Sequence, residues 1–323
     1  MLDKLQGKGL LIHHWDTDGI CSARLLLEHL KNNNITNKTP ILGNFYLTQQ
    51  ELEQYQIYDY FIVADMSLPK ENILYLSKQG QVCIFDHHLG PVIDEVFHYN
   101  PIIKGGNPSM YPSASWIIND YLQNQVNLFA LLGVVGDHEQ RIMNNTVFMK
   151  IINDFCSKNN VLFDDLLSMV HLIDSNYKIG DKAEIEAMPR YLLTIQKSIE
   201  ILNHPTWNKN LSKINEEISK QLKTSIQEIN GLLLKKIHTS YSIISTITRR
   251  ISWETKKDTV VINTGFFPDS DELYVRSSKD VQPLIARGKS LGFKCGGKKE
   301  VLGAIVPKNQ TDAFVQEIIK FLQ

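Results

Sequence analysis

The sequence predicts an α/β fold in which a mostly parallel N-terminal sheet is joined by a helical connector to a smaller α/β domain. Three observations lead to this prediction. Short apolar runs alternate with amphipathic stretches in the first half, residues 182–234 are polar and helix-forming, and β-branched and aromatic residues dominate several later segments. We expect domains over residues 1–185 and 235–323, with the connector over residues 186–234.

Each apolar run of the first half predicts a strand, and the stretch after it predicts a helix. The strands are expected at residues 9–13, Tyr60–Ala64 and Gln81–Phe85, and helices at residues 20–30 and 70–78. Parallel strands linked by crossover helices bring their carboxyl ends to one edge of a sheet, where ligands bind in such folds. Separate pieces of the sequence are therefore expected to converge at this edge.

The remaining elements follow from helix spacing and from β-forming residues. An apolar helix over residues 126–135 is expected to stop at Gly136, immediately before Asp137, and residues 32–34 read as a loop of three asparagines. Further helices are expected at residues 111–122, 144–173 and 311–322, and strands at residues 241–248, 259–263 and 272–277.

Composition limits the function classes. The 323 residues are 43% hydrophobic, which is enough to bury a sizeable core, and 34 Lys and Arg against 35 Asp and Glu exclude a globally basic duplex-binding protein. The four cysteines lie far apart without a CxxC pair, so we expect a reducing cytoplasm and no zinc knuckle or disulfide framework. No apolar run approaches the roughly 20 residues of a membrane span, so no membrane partner is expected.

The first strand runs into an unusual polar segment, HWDTDG. His14, Asp16 and Asp18 alternate there, and side chains so spaced can reach one ion if the chain is extended or turning. Mn²⁺ and Mg²⁺ take carboxylate and sometimes imidazole ligands. The alternative is a turn in which Asp18 or its neighbour caps the following helix.

Three further acidic positions follow apolar runs. Asp86, His87 and His88 end one strand, and Asp65 and Asp137 each end another apolar run. Asp65 or Asp137 alone would be read as a helix cap, but together these groups supply enough ligands for two ions. A pair of metals is what the hydrolysis of a phosphate ester needs.

The segments HHWDTDGICSA, VADMS, FDHHLG and GVVGDHE, in this order, resemble the DHH phosphoesterase superfamily. The spacing of HxDxDG is similar to the RecJ-type branch, and GVVGD resembles the archaeal RecJ-like proteins. The resemblance covers roughly the first 180 residues firmly. It implies two Mn²⁺ (or Mg²⁺) ions, one held by His14, Asp16 and Asp65 and the other by Asp18, Asp65, His87 and Asp137. It also implies that His88 contacts the scissile phosphate or assists proton transfer, and that Asp86 orients the neighbouring histidine.

The resemblance extends to a small C-terminal domain, called DHHA1, that binds the phosphate next to the scissile one. YVRSS, which carries Arg276 and Ser277, matches the family's SRS-like strand, and Gly296, Gly297 and Lys298 stand where the family has a GGH motif. Lys298 in place of histidine is the main departure from the family pattern, and it keeps a cation beside two glycines. We expect these five residues to bind substrate.

These features predict that the protein is a metal-dependent phosphodiesterase. It is expected to hydrolyse single-stranded DNA, RNA or short oligonucleotides from an end by metal-activated hydroxide attack. One alternative is a catalytically weak replication-associated scaffold of the Cdc45/RecJ-like kind, with a replication protein as partner. Another is a phosphatase acting on pyrophosphate, polyphosphate or small nucleotides. Trp15 and Tyr46 lie near strand ends. Each has two alternative roles, stacking on a base of the substrate or packing in the core.

Overall fold

The computed structural model describes residues 1–31 and 33–323. It contains two compact units, each with its own sheet and core. The N-terminal unit consists of Met1–Tyr177 and Asp181–Leu211, and the C-terminal unit consists of Lys178–Gly180 and Ser212–Gln323. This organisation confirms the predicted fold class, an α/β chain with a parallel sheet followed by a smaller α/β unit. The predicted loop of residues 32–34 includes Asn32, which lies outside the described residues.

The N-terminal unit is built on a five-stranded sheet in the order β2-β1-β3-β4-β5, and every neighbouring pair is parallel. Its strands are β1 Lys8–His13, β2 Asn34–Lys38, β3 Tyr60–Ala64, β4 Gln81–Phe85 and β5 Phe97–Tyr99. All five residues of β3 are buried, as is typical of a central parallel strand covered on both faces. The apolar runs identified in the sequence therefore form the three inner strands of the sheet, β1, β3 and β4.

Nine helices accompany this sheet in the part of the chain described. They are α1 Thr17–His29, α2 Gln49–Gln54, α3 Lys70–Ser77, α4 Ala114–Tyr121, α5 Leu128–His138, α6 Thr146–Asn159, α7 Phe163–Lys178, α8 Lys182–Tyr191 and α9 Ser198–Leu202. The Ser113 side chain caps α4 by accepting a hydrogen bond from the Trp116 N–H. The described helices include none with the length and apolar character needed to cross a bilayer.

The C-terminal unit contains a six-stranded mixed sheet in the order β10-β11-β9-β8-β7-β6. Its elements are α10 Pro205–Lys223, in which the boundary between the units falls, β6 Gln227–Ile229, β7 Leu232–Ile237, α11 Ile244–Thr255, β8 Thr259–Asn263, β9 Ser270–Arg276, α12 Gln282–Ser290, β10 Lys294–Lys298, β11 Val301–Pro307 and α13 Thr311–Leu322. Among the described strands of this second sheet, only the β7–β8 pair is parallel.

Two predictions about this half are wrong. The strand expected at residues 241–248 is absent, and residues 244–248 are instead the start of α11, because Ile244, Ile247 and Ile251 are spaced by three and four and form one buried helix face. The connector expected over residues 186–234 is helical only as far as Lys223. Its end supplies β6 and the start of β7 to the second sheet.

Candidate metal centre

The parallel register places the ends of three strands in one row. His13 of β1 pairs with Ala64 of β3, and Ala64 pairs with Phe85 of β4. The next residue of each strand, His14, Asp65 or Asp86, therefore leaves the sheet at the same edge. At Asp65 the backbone turns into the left-handed region, with φ of 59°, while its N–H still donates to the Phe85 carbonyl at 2.9 Å. Asp and Asn tolerate this conformation better than most residues.

One group of candidate ligands consists of His14, Asp16 and Asp65. Their ligand atoms lie within 4.8 Å of one another. The His14 Nδ1 atom is 2.8 Å from Asp16 Oδ1 and 3.8 Å from Asp65 Oδ2. These are the three residues that the family resemblance assigns to one metal.

The second group consists of Asp18, His87 and Asp137, whose ligand atoms also lie within 4.8 Å of one another. His87 Nε2 is 4.0 Å from Asp18 Oδ2, 3.1 Å from Asp137 Oδ2 and 3.5 Å from Asp65 Oδ1. Asp65 therefore lies beside both groups. Asp137 does not follow the apolar helix as predicted, because α5 continues to His138 and carries Asp137 in its last turn.

The polar segment before α1 combines the two interpretations that the sequence left open. Asp16, and not Asp18, is the helix cap, and its Oδ1 accepts from the Gly19 N–H at 3.1 Å. The same oxygen faces His14, so one carboxylate both caps a helix and joins a ligand group. Gly19 is required here because a Cβ at this position would lie 2.4 Å from the His14 carbonyl oxygen.

The Asp86-His87-His88 turn is held by hydrogen bonds of its own. Asp86 Oδ1 accepts from the His87 N–H at 2.9 Å and lies 2.7 Å from His88 Nδ1. Asn100 donates to the His88 carbonyl at 2.9 Å. The His88 side chain is 45% exposed and lies 3.9 Å from Asp65 Oδ1, which makes a third group of Asp65, His87 and His88. Asp86 thus orients His88 at the rim of the cluster.

The crowding of carboxylates perturbs their pKa values. Burial and the neighbouring Asp18, Asp16 and Asp137 raise the pKa of Asp65 well above its ordinary value. Burial, with the Asp137 charge, raises the pKa of Asp18 to about 6.

The pKa values of two histidines are raised as well, although burial acts on a histidine in the opposite direction. Burial alone would lower the pKa of His87, but the Asp137 carboxylate raises it to about 9. Burial likewise opposes a charge on His14, and Asp16 nevertheless raises its pKa. The cluster therefore holds protons that a cation would displace.

The residues fit divalent cations. Asp65 Oδ1 and His14 Nε2 are buried and have no hydrogen-bond partner among residues 1–31 and 33–323. Buried polar atoms are normally satisfied, so such atoms call for a ligand. Carboxylate oxygens with a minority of imidazole nitrogens are the donors that Mn²⁺ accepts. His14, Asp16 and Asp65 would hold one cation, and Asp18, Asp65, His87 and Asp137 a second.

Sequence reasoning missed the supports behind these ligands. Both oxygens of Asp18 accept backbone N–H groups from the start of α4, at 2.7 Å from Ala114 and 2.9 Å from Ser115. Asp174 of α7 accepts from the N–H and the hydroxyl of Thr17. An aspartate near Val170 and Ile173, on the inner side of an amphipathic helix, is a signal that could have identified Asp174.

The C-terminal unit places the other predicted residues on β9 and β10, the two strands on either side of β11, and directly after β9. Val301 of β11 pairs with Arg276 on one side and with Lys298 on the other, so the two cationic residues share a row and a sheet face. Gly297 has φ of 148°, and a Cβ there would lie 1.9 Å from the Val301 carbonyl oxygen. The neighbouring Gly296 pairs with Gly303, and Ser277 is buried beyond β9. The row places two cations beside a stretch of exposed backbone.

Comparisons with known proteins identify the fold. No protein-family model matches the chain, and no curated protein matches it. Among solved structures, RecJ from Thermus thermophilus in complex with Mn²⁺ has a TM-score of 0.71 at 14% identity over 98% of this chain, which spans 52% of the RecJ chain.

Two further structures have the same fold. The pGpG-specific phosphodiesterase PggH of Vibrio cholerae has a TM-score of 0.53 at 13% identity, over 98% of this chain and 99% of its own. CDC45 of Entamoeba histolytica has a TM-score of 0.56 at 8% identity, over 96% of this chain and 94% of its own. With its four motifs gathered at one sheet edge, the chain has the fold of the RecJ-like DHH/DHHA1 superfamily.

Proposed function

We propose that the protein is a divalent-metal-dependent phosphodiesterase that removes nucleotides from an end of single-stranded nucleic acid or of short oligonucleotides. The observation that carries the proposal is the convergence of four carboxylates and two histidines, from four separate chain segments, around the buried Asp65. A fold alone would not need these side chains together. Their mutual repulsion makes the cluster unfavourable unless cations occupy it.

Two cations in these groups would neutralise the charge of the phosphodiester and lower the pKa of an attacking water. The residues of the chain position the reaction. Asp65, between the groups, sets the separation of the two ligand sets. Asp18 is held by two backbone N–H groups, which fixes its oxygens before substrate arrives.

His88 is the candidate for contact with the reacting phosphate. Its Nδ1 is engaged by Asp86, which leaves Nε2 as the atom that donates to a phosphoryl oxygen or transfers a proton to the leaving group. The ring is partly exposed, whereas His87 is nearly buried. This difference supports a ligand role for His87 and a substrate role for His88.

Arg276, Ser277, Gly296, Gly297 and Lys298 are proposed to bind the phosphate next to the scissile one. Guanidinium and ammonium groups in one row suit an anion, and the glycines let the backbone approach it. The same row favours a second candidate function, a phosphatase for pyrophosphate, polyphosphate or small nucleotides, because Lys298 adds charge where the related motif has histidine. The gathered ligands argue against the scaffold alternative.

The test is digestion of single-stranded DNA and RNA labelled at the 5′ or the 3′ end, with Mn²⁺, beside pyrophosphate and polyphosphate. Product ladders from one end, absent in His87→Gln, would support the exonuclease and give its polarity. His29→Gln is the matched control, because His29 lies at the far end of α1 and pairs with Asp3. Release of phosphate from the small substrates alone would support the phosphatase, and no turnover by the metal-loaded protein would contradict both.

A further inference from the structure

An exposed aromatic side chain lies beside the candidate metal centre. The Phe45 ring is 62% exposed. Its centroid lies 5.7 Å from the His14 ring, nearly parallel to it at 24°, and 5.2 Å from the Trp15 ring. The aromatic contact thus reaches a candidate metal ligand directly.

The loop that carries Phe45 is anchored at both ends. It leaves β2 at the same sheet edge as the ligands, since Lys38 pairs with Ile12 of β1. At its start the Ile41 N–H donates to Glu51 at 3.0 Å. At its end Leu47 exchanges two hydrogen bonds with the Asn72 side chain, at 2.8 and 3.3 Å. The exposed ring is therefore carried by a loop fixed on either side of it.

The other aromatic residues of this region do not offer the same surface. Trp15 is only 7% exposed and packs in the core, so its position beneath Phe45 is structural. Tyr46, the other aromatic residue of the loop, is only partly exposed. Phe45 is the residue of this loop that combines a large flat ring with high exposure.

From this arrangement we infer that Phe45 stacks the base of the nucleotide whose phosphate lies at the metal centre, so that the substrate is a nucleotide ester and not an inorganic phosphate. This inference rests on the proposed function and narrows its substrate class. Every nucleobase has a flat face that can stack on an aromatic ring. Such stacking strengthens binding without selecting among the bases. Pyrophosphate and polyphosphate have no group that this ring would bind.

The experiment compares ligands that differ only in the base. The affinities of AMP and of ribose 5-phosphate are measured by titration calorimetry with Ca²⁺ present, in the wild type, Phe45→Ala, Phe45→Trp and Ile57→Ala. Ile57 is equally exposed, at 62%, but precedes β3 and so lies toward the opposite edge of the sheet. Hydrolysis of an oligonucleotide with a normal or an abasic terminal nucleotide is measured in parallel with Mn²⁺.

We expect the wild type to bind AMP about tenfold more tightly than ribose 5-phosphate, and Phe45→Ala to remove this preference. Phe45→Trp should retain the preference for AMP, and Ile57→Ala should leave it unchanged. In Phe45→Ala, KM should rise for the normal oligonucleotide but not for the abasic one. Equal affinities in the wild type, or equal losses for both ligands in Phe45→Ala, would overturn the inference while leaving hydrolysis intact. A base preference without any hydrolysis would instead sustain the stacking site and contradict the proposed function.

Discussion

Asp174 accepts two hydrogen bonds from Thr17 through a single oxygen, from the backbone N–H at 3.0 Å and from the hydroxyl at 2.7 Å. Thr17 is the first residue of α1 and stands between two candidate ligands, Asp16 and Asp18. Since the bonds join α7 to the ligand segment across 157 residues of sequence, they fix the segment against the body of the unit. Asp174 is a positioning residue of the site.

Removing the Asp174 carboxylate should make the positions of Asp16 and Asp18 less fixed while leaving every candidate ligand in the chain. In Asp174→Ala we expect Mn²⁺ affinity to fall by about tenfold, a typical cost of losing an outer contact of a metal site. Asp164→Ala is the control, because Asp164 is exposed on the same helix. Calorimetric Mn²⁺ titrations of both variants give the comparison, and equal affinities in the two would show that α7 does not position the site.

Asp65 should be indispensable for turnover and dispensable for folding. Asn keeps the left-handed backbone, which it tolerates as Asp does, but it removes the charge that lies beside both ligand groups. We expect Asp65→Asn to lower kcat with Mn²⁺ at least a hundredfold, while the metal-free variant unfolds at the same temperature or higher. The gain is expected because burial raises the pKa of Asp65 and disfavours its charge. Turnover within a factor of two of the wild type would contradict the proposal that Asp65 is a ligand to both cations.

Cation binding should release protons. The pKa of His87 is raised to about 9 by Asp137 against the effect of burial, so without metal the ring is charged at pH 7.5. A nitrogen ligand must lose its proton to bind, so the affinity for Mn²⁺ should rise with pH up to about 9. Below about pH 6 protonation of Asp18 should weaken binding further.

Calorimetry in two buffers with different ionisation heats counts these protons. At pH 7.5 we expect at least one proton released per wild-type molecule, because the pKa values of Asp65 and His14 are raised beside that of His87, and about one proton fewer for His87→Gln. Observed heats that do not depend on the buffer would rule out a charged His87 in the metal-free protein.

In the C-terminal unit, Glu272 should make stability depend on pH. Burial raises its pKa from 4.5 to about 7, and Asn263 donates to it at 3.0 Å. A carboxyl group with a raised pKa in the folded state stabilises the fold fully below 4.5 and loses that contribution as the pH rises through 7. The shift corresponds to at most about 3 kcal/mol.

Urea unfolding at pH 5.5 and 8.5 measures this loss. The wild type should be less stable at pH 8.5, and Glu272→Gln should reduce the difference between the two pH values. Glu254→Gln, at an exposed position of α11, serves as control. The same pH difference in the wild type and Glu272→Gln would exclude Glu272 as its source.

The local sequence pattern predicted an element correctly where the residues of that element alone determine its type and its ends. Tyr60–Ala64, Gln81–Phe85 and Thr259–Asn263 are strands with the predicted ends, because each is an apolar or β-branched run bounded by polar residues. The terminal helix Thr311–Leu322 is likewise as predicted. The same logic failed at residues 241–248, where β-branched isoleucines that favour a strand also carry helical spacing and a helix formed.

The ligand segments could be read from the sequence because each follows an apolar run and the parallel order brings those ends together. Asp174 and Phe45 could not be found this way. The contact of Asp174 joins two distant helices, and its place on the inner side of α7 shows only that it faces inward, not which residue it meets. The proposed role of Phe45 depends on its exposure, which the neighbouring residues do not indicate. Position within the tertiary structure decides their roles.

Gly133 shows how helix packing controls the chemistry. A Cβ at this position on α5 would lie 2.2 Å from Asp18 Oδ1 and 2.0 Å from Ser115 Oγ. Any larger residue would therefore push α5 away from α1, and with it Asp137, which lies one helical turn further along α5. The spacing between two ligands is thus set by the closest approach of two helices. A single methyl group, added at a position that is not itself a candidate ligand, would change the geometry of the whole candidate metal centre.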